Sequence, residues 1–519
     1  MTFADRAAPA SDGRREKLGR ASLALIFALA FATRALQFGN PVIDIDEEFY
    51  LLVGDRLLHG LLPYVDIWDR KPFGLFAVFS AIRLLGGSGV IQYQVVATLF
   101  AAATAAIVAH ISLRLTNRRG ATIAGIVYLL FILSSGGDGG QAPIFYNLPV
   151  AGAALIVLRI QERRSFGASA IMQASAAMIL LGIAIQIKYT VVFEGAFFGL
   201  WLLHLARRRG RRVAPLVAMA LLWCGIALLP TLCVLLLYWQ RGFENQLIFQ
   251  NFVSIFVRST HDLNIAGRLF VMAIHISLPA AIAVWGVITR AADREACRFV
   301  AAWAGIAVLA VLVFGTYHGH YALPLFAPLA AAGAPIYGDL ERRLWLGRFR
   351  PPIAYVVLVT GLLLGIGTMI GLRISRGTGE AVYAAARMVG SKPQGCIFVF
   401  SGNPILYQLT DSCLPTAYVF TTLLSETPDA ASLGRDQMAE LRATMATRPR
   451  YVFTRAPMMP QAQPAAWDFM RGVLQRDYRL VFRQRAGSSV ILGYARKSVA
   501  QDAPARGAMR PPRSFGAAA

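Results

Sequence analysis

Carboxylates and a lysine crowd one stretch near the N-terminus, Pro41 to Phe76, with the sequence PVIDIDEEFYLLVGDRLLHGLLPYVDIWDRKPFGLF. It holds Asp44, Asp46, Glu47, Glu48, Asp55, Asp66 and Asp69, a quarter of the 28 acidic residues of the chain, and then Arg70, Lys71 and Pro72. It directly follows an apolar run of spanning length, and charge beside hydrocarbon is costly. The residue types suggest a use for it. A positioned carboxylate takes the proton of an attacking hydroxyl, for a gain of roughly 10²–10⁴ in rate. Lys or Arg stabilises the negative charge growing on a departing group. The stretch reads as an active-site loop. Asp46 also has a purely structural reading, because an aspartate opening a helix with Glu47 and Glu48 in the first turn is what an N-cap looks like. The two readings are compatible.

The elements that must position this loop are set by composition. The chain has 519 residues, 56% hydrophobic and 15% charged, whereas a soluble domain carries about 25% charged residues. Long apolar runs recur along it, which indicates a polytopic α-helical membrane protein. A net charge of +23 would suit nucleic acid, but the basic residues cluster in short loops between apolar runs, as they do where they fix orientation in a membrane. Eleven spans are expected, at about 21–38, 90–114, 120–135, 145–160, 168–187, 190–206, 213–239, 266–289, 299–315, 320–337 and 353–372. This assignment sets 73–85 aside as an interfacial or re-entrant segment. Every basic loop then falls on the cytoplasmic side with the N-terminal segment 1–20, and the acidic loop 39–89 falls outside. Phe49, Val53, Leu57 and Leu61 recur every four residues, which predicts an amphipathic helix lying in the interface. Residues 373–497 alternate strand-like runs (CIFVFS, YVFTR, YRLVFRQ, SSVILGYAR) with helical ones, which predicts a small extracytoplasmic α/β domain. Cys396 and Cys413 lie in it, where a disulfide and two buried thiols are both open readings. The tail 498–519 has the composition of a disordered segment.

The pattern DExxY at Asp46-Glu47-Glu48-Phe49-Tyr50, followed by HGLLPYVDIWDRKPFGLF, resembles the first outer loop of the C-type (GT-C) glycosyltransferases, nearest to the protein O-mannosyltransferases and the lipid A aminoarabinose transferases. HGHYALPLFAPLAAAGA at 318–334 and SGNPILYQLTDSCLPTAYVF at 401–420 extend the likeness. The acid before the Lys-Pro pair stands one position early here, at Asp69, with Arg70 between, and Phe73 replaces a second proline.

The resemblance implies an inverting transfer of a sugar from a polyprenyl-phosphate carrier to an acceptor hydroxyl, at the periplasmic face of the inner membrane. Asp46 corresponds to the catalytic aspartate, with Asp44 as a second carboxylate and Glu47 as a further catalytic candidate or part of the cap. Lys71 corresponds to the lysine that contacts donor phosphate. Arg70, Lys188, His320 and Tyr321 are further candidates for the phosphate. Asp69, Tyr50, Asn147 and Arg258 are candidates for positioning substrate. Lys71, Arg70 and Lys188 also have the reading of interfacial side chains snorkelling to headgroups. No cofactor is required and no metal ligands are assigned, although clustered carboxylates suit a divalent cation. The partners implied are the lipid-linked donor, a lipid, glycan or protein acceptor, and the bilayer. A competing reading is a transporter or lipid flippase with a charged outer gate, which would place its ionisable residues nearer mid-membrane.

Overall fold

The computed structural model describes residues 17–257, 264–289, 291–345 and 349–497. The Arg258 candidate, the tail 498–519 and all but the last four residues of the segment 1–20 lie outside these.

Helices dominate. In order they are α1 (Arg20–Arg34), α2 (Ile45–Leu58), α3 (Phe73–Arg83), α4 (Val90–Ser112), α5 (Arg118–Leu133), α6 (Ala142–Gln161), α7 (Ala168–Ile185), α8 (Val192–Arg208) and α9 (Val213–Gln240). A loop then carries α10 (Glu244–Ile248), a π-helical turn (Phe249–Val253) and α11 (Ser254–Val257), followed by α12 (Ile265–Ile288) and α13 (Arg294–Phe314). A 3-10 run at Gly319–Leu325 leads into α14 (Phe326–Ala332) and α15 (Ala334–Tyr337), and α16 (Ile353–Arg376) and α17 (Glu380–Val389) follow.

Nine helical stretches among the described residues are long and apolar enough to cross a membrane, and the chain is a multi-pass membrane protein. Two of the eleven expected spans are not among the nine. At 120–135 the structure has α5, whose 16 residues reach only about 24 Å at 1.5 Å each, short of a hydrocarbon core of about 30 Å. It is buried along nearly its whole length, so its surroundings are protein. At 320–337 the run, which carries Pro324, Pro328, Gly333 and Pro335, is divided into a 3-10 stretch and two short helices. At the other extreme, α9 packs one face on α7, buries only Met219, Trp223 and Tyr238 fully, and leaves much of its apolar surface exposed.

The segment 377–497 ends in a four-stranded sheet of β1 (Ile397–Val399), β2 (Tyr451–Ala456), β3 (Tyr478–Ala486) and β4 (Ser489–Arg496), in the order β1-β2-β4-β3. β1 and β2 run parallel, and β4 is antiparallel to both β2 and β3. Alternate residues of β4 are buried, the period-two pattern of a sheet with one covered face. Between the strands lie α18 (Ile405–Leu409), α19 (Thr427–Ala430), α20 (Gln437–Ala446) and α21 (Pro464–Asp477). Cys396 and Cys413 form a disulfide beside β1.

The first loop does not stand apart from this segment. Trp68 sits in the same apolar cluster as Phe398, Phe400, Tyr418 and Leu441, and its backbone N–H donates to the Ala417 carbonyl at 2.9 Å. Consequently α2 is not the interfacial helix its four-residue spacing suggests. Residues Glu47 to Arg56 are all buried, because the polar side of the helix is covered by protein. Asn403 donates to the Glu48 carboxyl at 2.7 Å. Arg56, itself on α2, pairs with Asp55 and donates to the Ser412 carbonyl, both at 2.9 Å. Arg83 of α3 closes on Asp55 at 2.9 Å.

Candidate active site

The site begins at the start of α2. Asp44 takes an extended backbone (φ −150°, ψ 139°) and its carboxylate accepts from the Asp46 N–H at 3.0 Å. Asp44, not Asp46, is therefore the N-cap, and it also pairs with Arg376 at the end of α16 at 3.0 Å. That double engagement occupies the carboxylate expected to be a second catalytic group. With the cap two residues earlier, the Asp46 side chain is released from capping.

A second element brings the cation. Pro72 is the N-cap of α3, and a residue before proline is pushed toward extended backbone. Lys71 and Arg70 are successive residues of such a segment and leave in opposite directions. The Lys71 ammonium reaches Asp46 at 3.3 Å and Asp69 at 3.6 Å, and lies over the rings of Tyr50 and Phe420 at 5.0 and 5.5 Å. Arg70 turns the other way, to Asp429 at 3.0 Å and Ser432 at 3.3 Å, stacked over Trp68. Arg70, expected as a phosphate candidate, is thus placed as a tie to the C-terminal segment. Asp69 is 5% exposed and fixes Lys71 by accepting its backbone N–H at 2.6 Å. Tyr50, 1% exposed, forms the floor under the ammonium.

A third contribution comes from the end of α7. Gly74, early in α3, has a Cβ position only 2.6 Å from the Gln186 carbonyl, so only glycine lets these two elements approach. Lys188 follows two residues later and stands over the Tyr321 ring at 4.2 Å. The same 3-10 run carries His320, stacked on His318 at 5.7 Å. Asn147 does not face this cluster. It is 3% exposed and donates to the Leu323 carbonyl and the Tyr128 hydroxyl, so it pins the run bearing His320 and Tyr321 and is not itself open to substrate.

The cluster is strongly coupled. Burial alone would raise the Asp46 carboxyl, but Lys71 foremost, then His320 and His318, overrides this and holds it at about 2. Burial disfavours the Lys71 charge, yet Asp46 and Asp69 raise its pKa above the ordinary lysine value. The pair is ionised at neutral pH and stays accessible, with 30% of the Lys71 and 18% of the Asp46 side chain exposed. Glu47 differs. It is 0% exposed, and a Cβ at Gly139 would collide with its carboxyl. Burial first, then Asp44, pushes that carboxyl well above the usual range. It points away from Lys71 and toward the loop before α6, so the structure sets Glu47 behind the site and not in it. Among the described residues, no group of three or more His, Cys, Asp or Glu side chains is arranged to hold a metal ion.

Several contributors are not singled out by the sequence. Arg376, Phe420, Gln250 and Asn251 come from distant segments, and only the folded chain brings them to the loop.

No protein-family model matches the sequence, and no curated protein matches it either. Solved structures do resemble it in fold. ArnT from Cupriavidus metallidurans bound to undecaprenyl phosphate is 14% identical, with a TM-score of 0.54 over 91% of this chain and 97% of the other. The Archaeoglobus fulgidus oligosaccharyltransferase tethered with an acceptor peptide is 12% identical, with a TM-score of 0.53 over 94% of this chain and 74% of the other. The same enzyme, AglB, in complex with an inhibitory peptide and a dolichol-phosphate gives a TM-score of 0.52 at 11% identity. At these identities the likeness is one of architecture alone: the chain has a GT-C-like membrane fold, as these solved structures do.

Proposed function

We propose that the chain is an inverting glycosyltransferase that moves a sugar from a polyprenyl-phosphate carrier to an acceptor hydroxyl, at the periplasmic face of the inner membrane. The observation that carries this reading is the Asp46–Lys71 pair at 3.3 Å, partly open and flanked by Lys188 and His320. The fold adds support, since two neighbours in architecture were solved with undecaprenyl phosphate and with dolichol-phosphate.

The residues divide the reaction between them. The acceptor oxygen attacks the anomeric carbon while the bond from that carbon to the phosphate oxygen breaks. The acceptor proton passes to Asp46, and the polyprenyl phosphate leaves with the electron pair of the broken bond. Lys71 and Lys188 meet the charge that grows on it. A carboxylate held at about 2 is a weak base, since bases work best with pKa values near the operating pH. The ion pair supplies its own remedy. A donor phosphate that draws the Lys71 ammonium to itself takes away the main influence depressing Asp46, and the carboxylate becomes more basic as the donor binds. Asp69 holds Lys71 in register through its backbone.

The test is transfer from a labelled polyprenyl-phosphate sugar by the purified full chain. Asp46→Asn is expected to lower the rate by about 10²–10⁴ while leaving donor binding in place. A variant with the full rate would exclude Asp46 as the base.

A further inference from the structure

Two cations flank Asp46, and they come from unrelated loops. Lys71 precedes α3, and Lys188 follows α7. The π-helical turn Phe249–Val253, in the loop between α9 and α12, touches both loops at once.

Gln250 and Asn251 are consecutive residues of that turn, 6% and 5% exposed. The Gln250 side-chain amide makes two bonds to the first loop. It accepts from the Asp69 N–H at 3.1 Å and donates to the Tyr64 carbonyl at 2.6 Å. Those two residues bracket Lys71. Asp69 accepts the Lys71 N–H at 2.6 Å, and the Tyr64 hydroxyl donates to the Lys71 carbonyl at 2.6 Å. Both backbone groups of Lys71 are therefore held by residues that Gln250 holds. Asn251 lies beside Tyr64 and reaches the other loop. Its side-chain carbonyl accepts from the hydroxyl of Tyr189, the residue after Lys188, at 2.9 Å, and the Phe252 ring packs on Tyr189 at 5.0 Å. A π turn carries an extra residue over an α turn and recurs at functional sites. Here it lets neighbouring side chains serve two loops.

We infer that Gln250 and Asn251 are positioning residues that set the separation of Lys71 and Lys188 to fit one phosphate. This rests on the reading of the two lysines as ligands of the donor phosphate. Losing the Gln250 amide leaves the Asp69 N–H and the Tyr64 carbonyl buried and unpaired, and a buried orphan of this kind is enough to shift a loop.

The experiment measures binding of undecaprenyl phosphate, and of undecaprenol as the phosphate-free control, to the purified full chain in detergent, alongside thermal unfolding and donor kinetics. Gln250→Ala and Asn251→Ala are each expected to weaken undecaprenyl phosphate about tenfold and to leave undecaprenol binding unchanged, with the melting temperature lowered by only a few degrees for the buried groups left unpaired. KM for the donor rises more than kcat falls. Wild-type affinity for undecaprenyl phosphate in Gln250→Ala, or an equal loss for undecaprenol, overturns the inference. Lys71→Met separates this from failure of the reading beneath it. If the wild type binds both lipids alike and Lys71→Met changes nothing, the phosphate role of the lysines fails and the inference falls with it. If binding depends on the phosphate and on Lys71 but not on Gln250, only the inference fails.

Discussion

At the scale of the residue, one ion pair decides the behaviour of the site. Lys71 is the main reason the Asp46 carboxyl stays near 2 against the effect of burial. Replacing Lys71 by Met removes that influence, so burial dominates and the Asp46 pKa rises. A base works only above its pKa. The acid limb of the pH–rate profile is therefore expected to move upward in Lys71→Met relative to wild type, together with a rise in KM for the donor. Transfer rates between pH 4 and 9 check this. Asp46 and Lys71 are legible in the sequence alone, because the loop concentrates charge where charge is costly. Their neighbours are legible only in part. Lys188, His320 and Tyr321 stand out as polar residues at the ends of apolar runs, but Arg70 has the same credentials and turns to Asp429. Side-chain direction in an extended loop depends on which partner folds against it, and the partner lies more than three hundred residues away.

At the scale of the element, α2 shows why periodicity misleads where tertiary cover is complete. Its apolar spacing is that of a surface helix, yet the C-terminal segment closes over its polar side. Glu48 records this. Burial raises its carboxyl to about 8, although Asn403 and the Ile405 N–H lower it by donating to it. The folded carboxyl binds its proton more tightly than the unfolded one, whose pKa is near 4.5. This contribution to stability is complete below the unfolded value and is lost as pH rises through about 8, a loss of a few kcal/mol at most. Glu48→Gln has no proton to lose and is expected to flatten the fall of the melting temperature between pH 5 and 9. Thermal unfolding in detergent across that range reads the difference. The broken run at 320–337 is the complementary case. Its prolines are visible in the sequence, but an apolar window counts it as a span, and only packing reveals a segment divided into short pieces.

At the scale of the whole molecule, arginines mark the turns and apolar helices mark the passages, so the multi-pass architecture needs little more than composition. The sidedness we propose rests on the positive-inside bias. A periplasm-dependent reporter such as alkaline phosphatase is expected to be active when fused after Lys497 and inactive when fused in the RRRGRR loop at 207–212. Activity at both points, or the reverse pattern, would refute the orientation. Composition does not reveal how far the two ends of the chain depend on each other. Trp68 is embedded among residues of the C-terminal segment, and Glu48 meets Asn403 across 355 positions. A ribosome adding about 5–20 residues each second releases the early loop roughly 20–70 seconds before its late partners exist. Through that interval the nascent chain holds its acids and its lysine without the cover of Asn403, Phe420 and Asp429, so the site is closed over only late in synthesis, and a chain cut short by a quarter of its length keeps the charges and loses that cover.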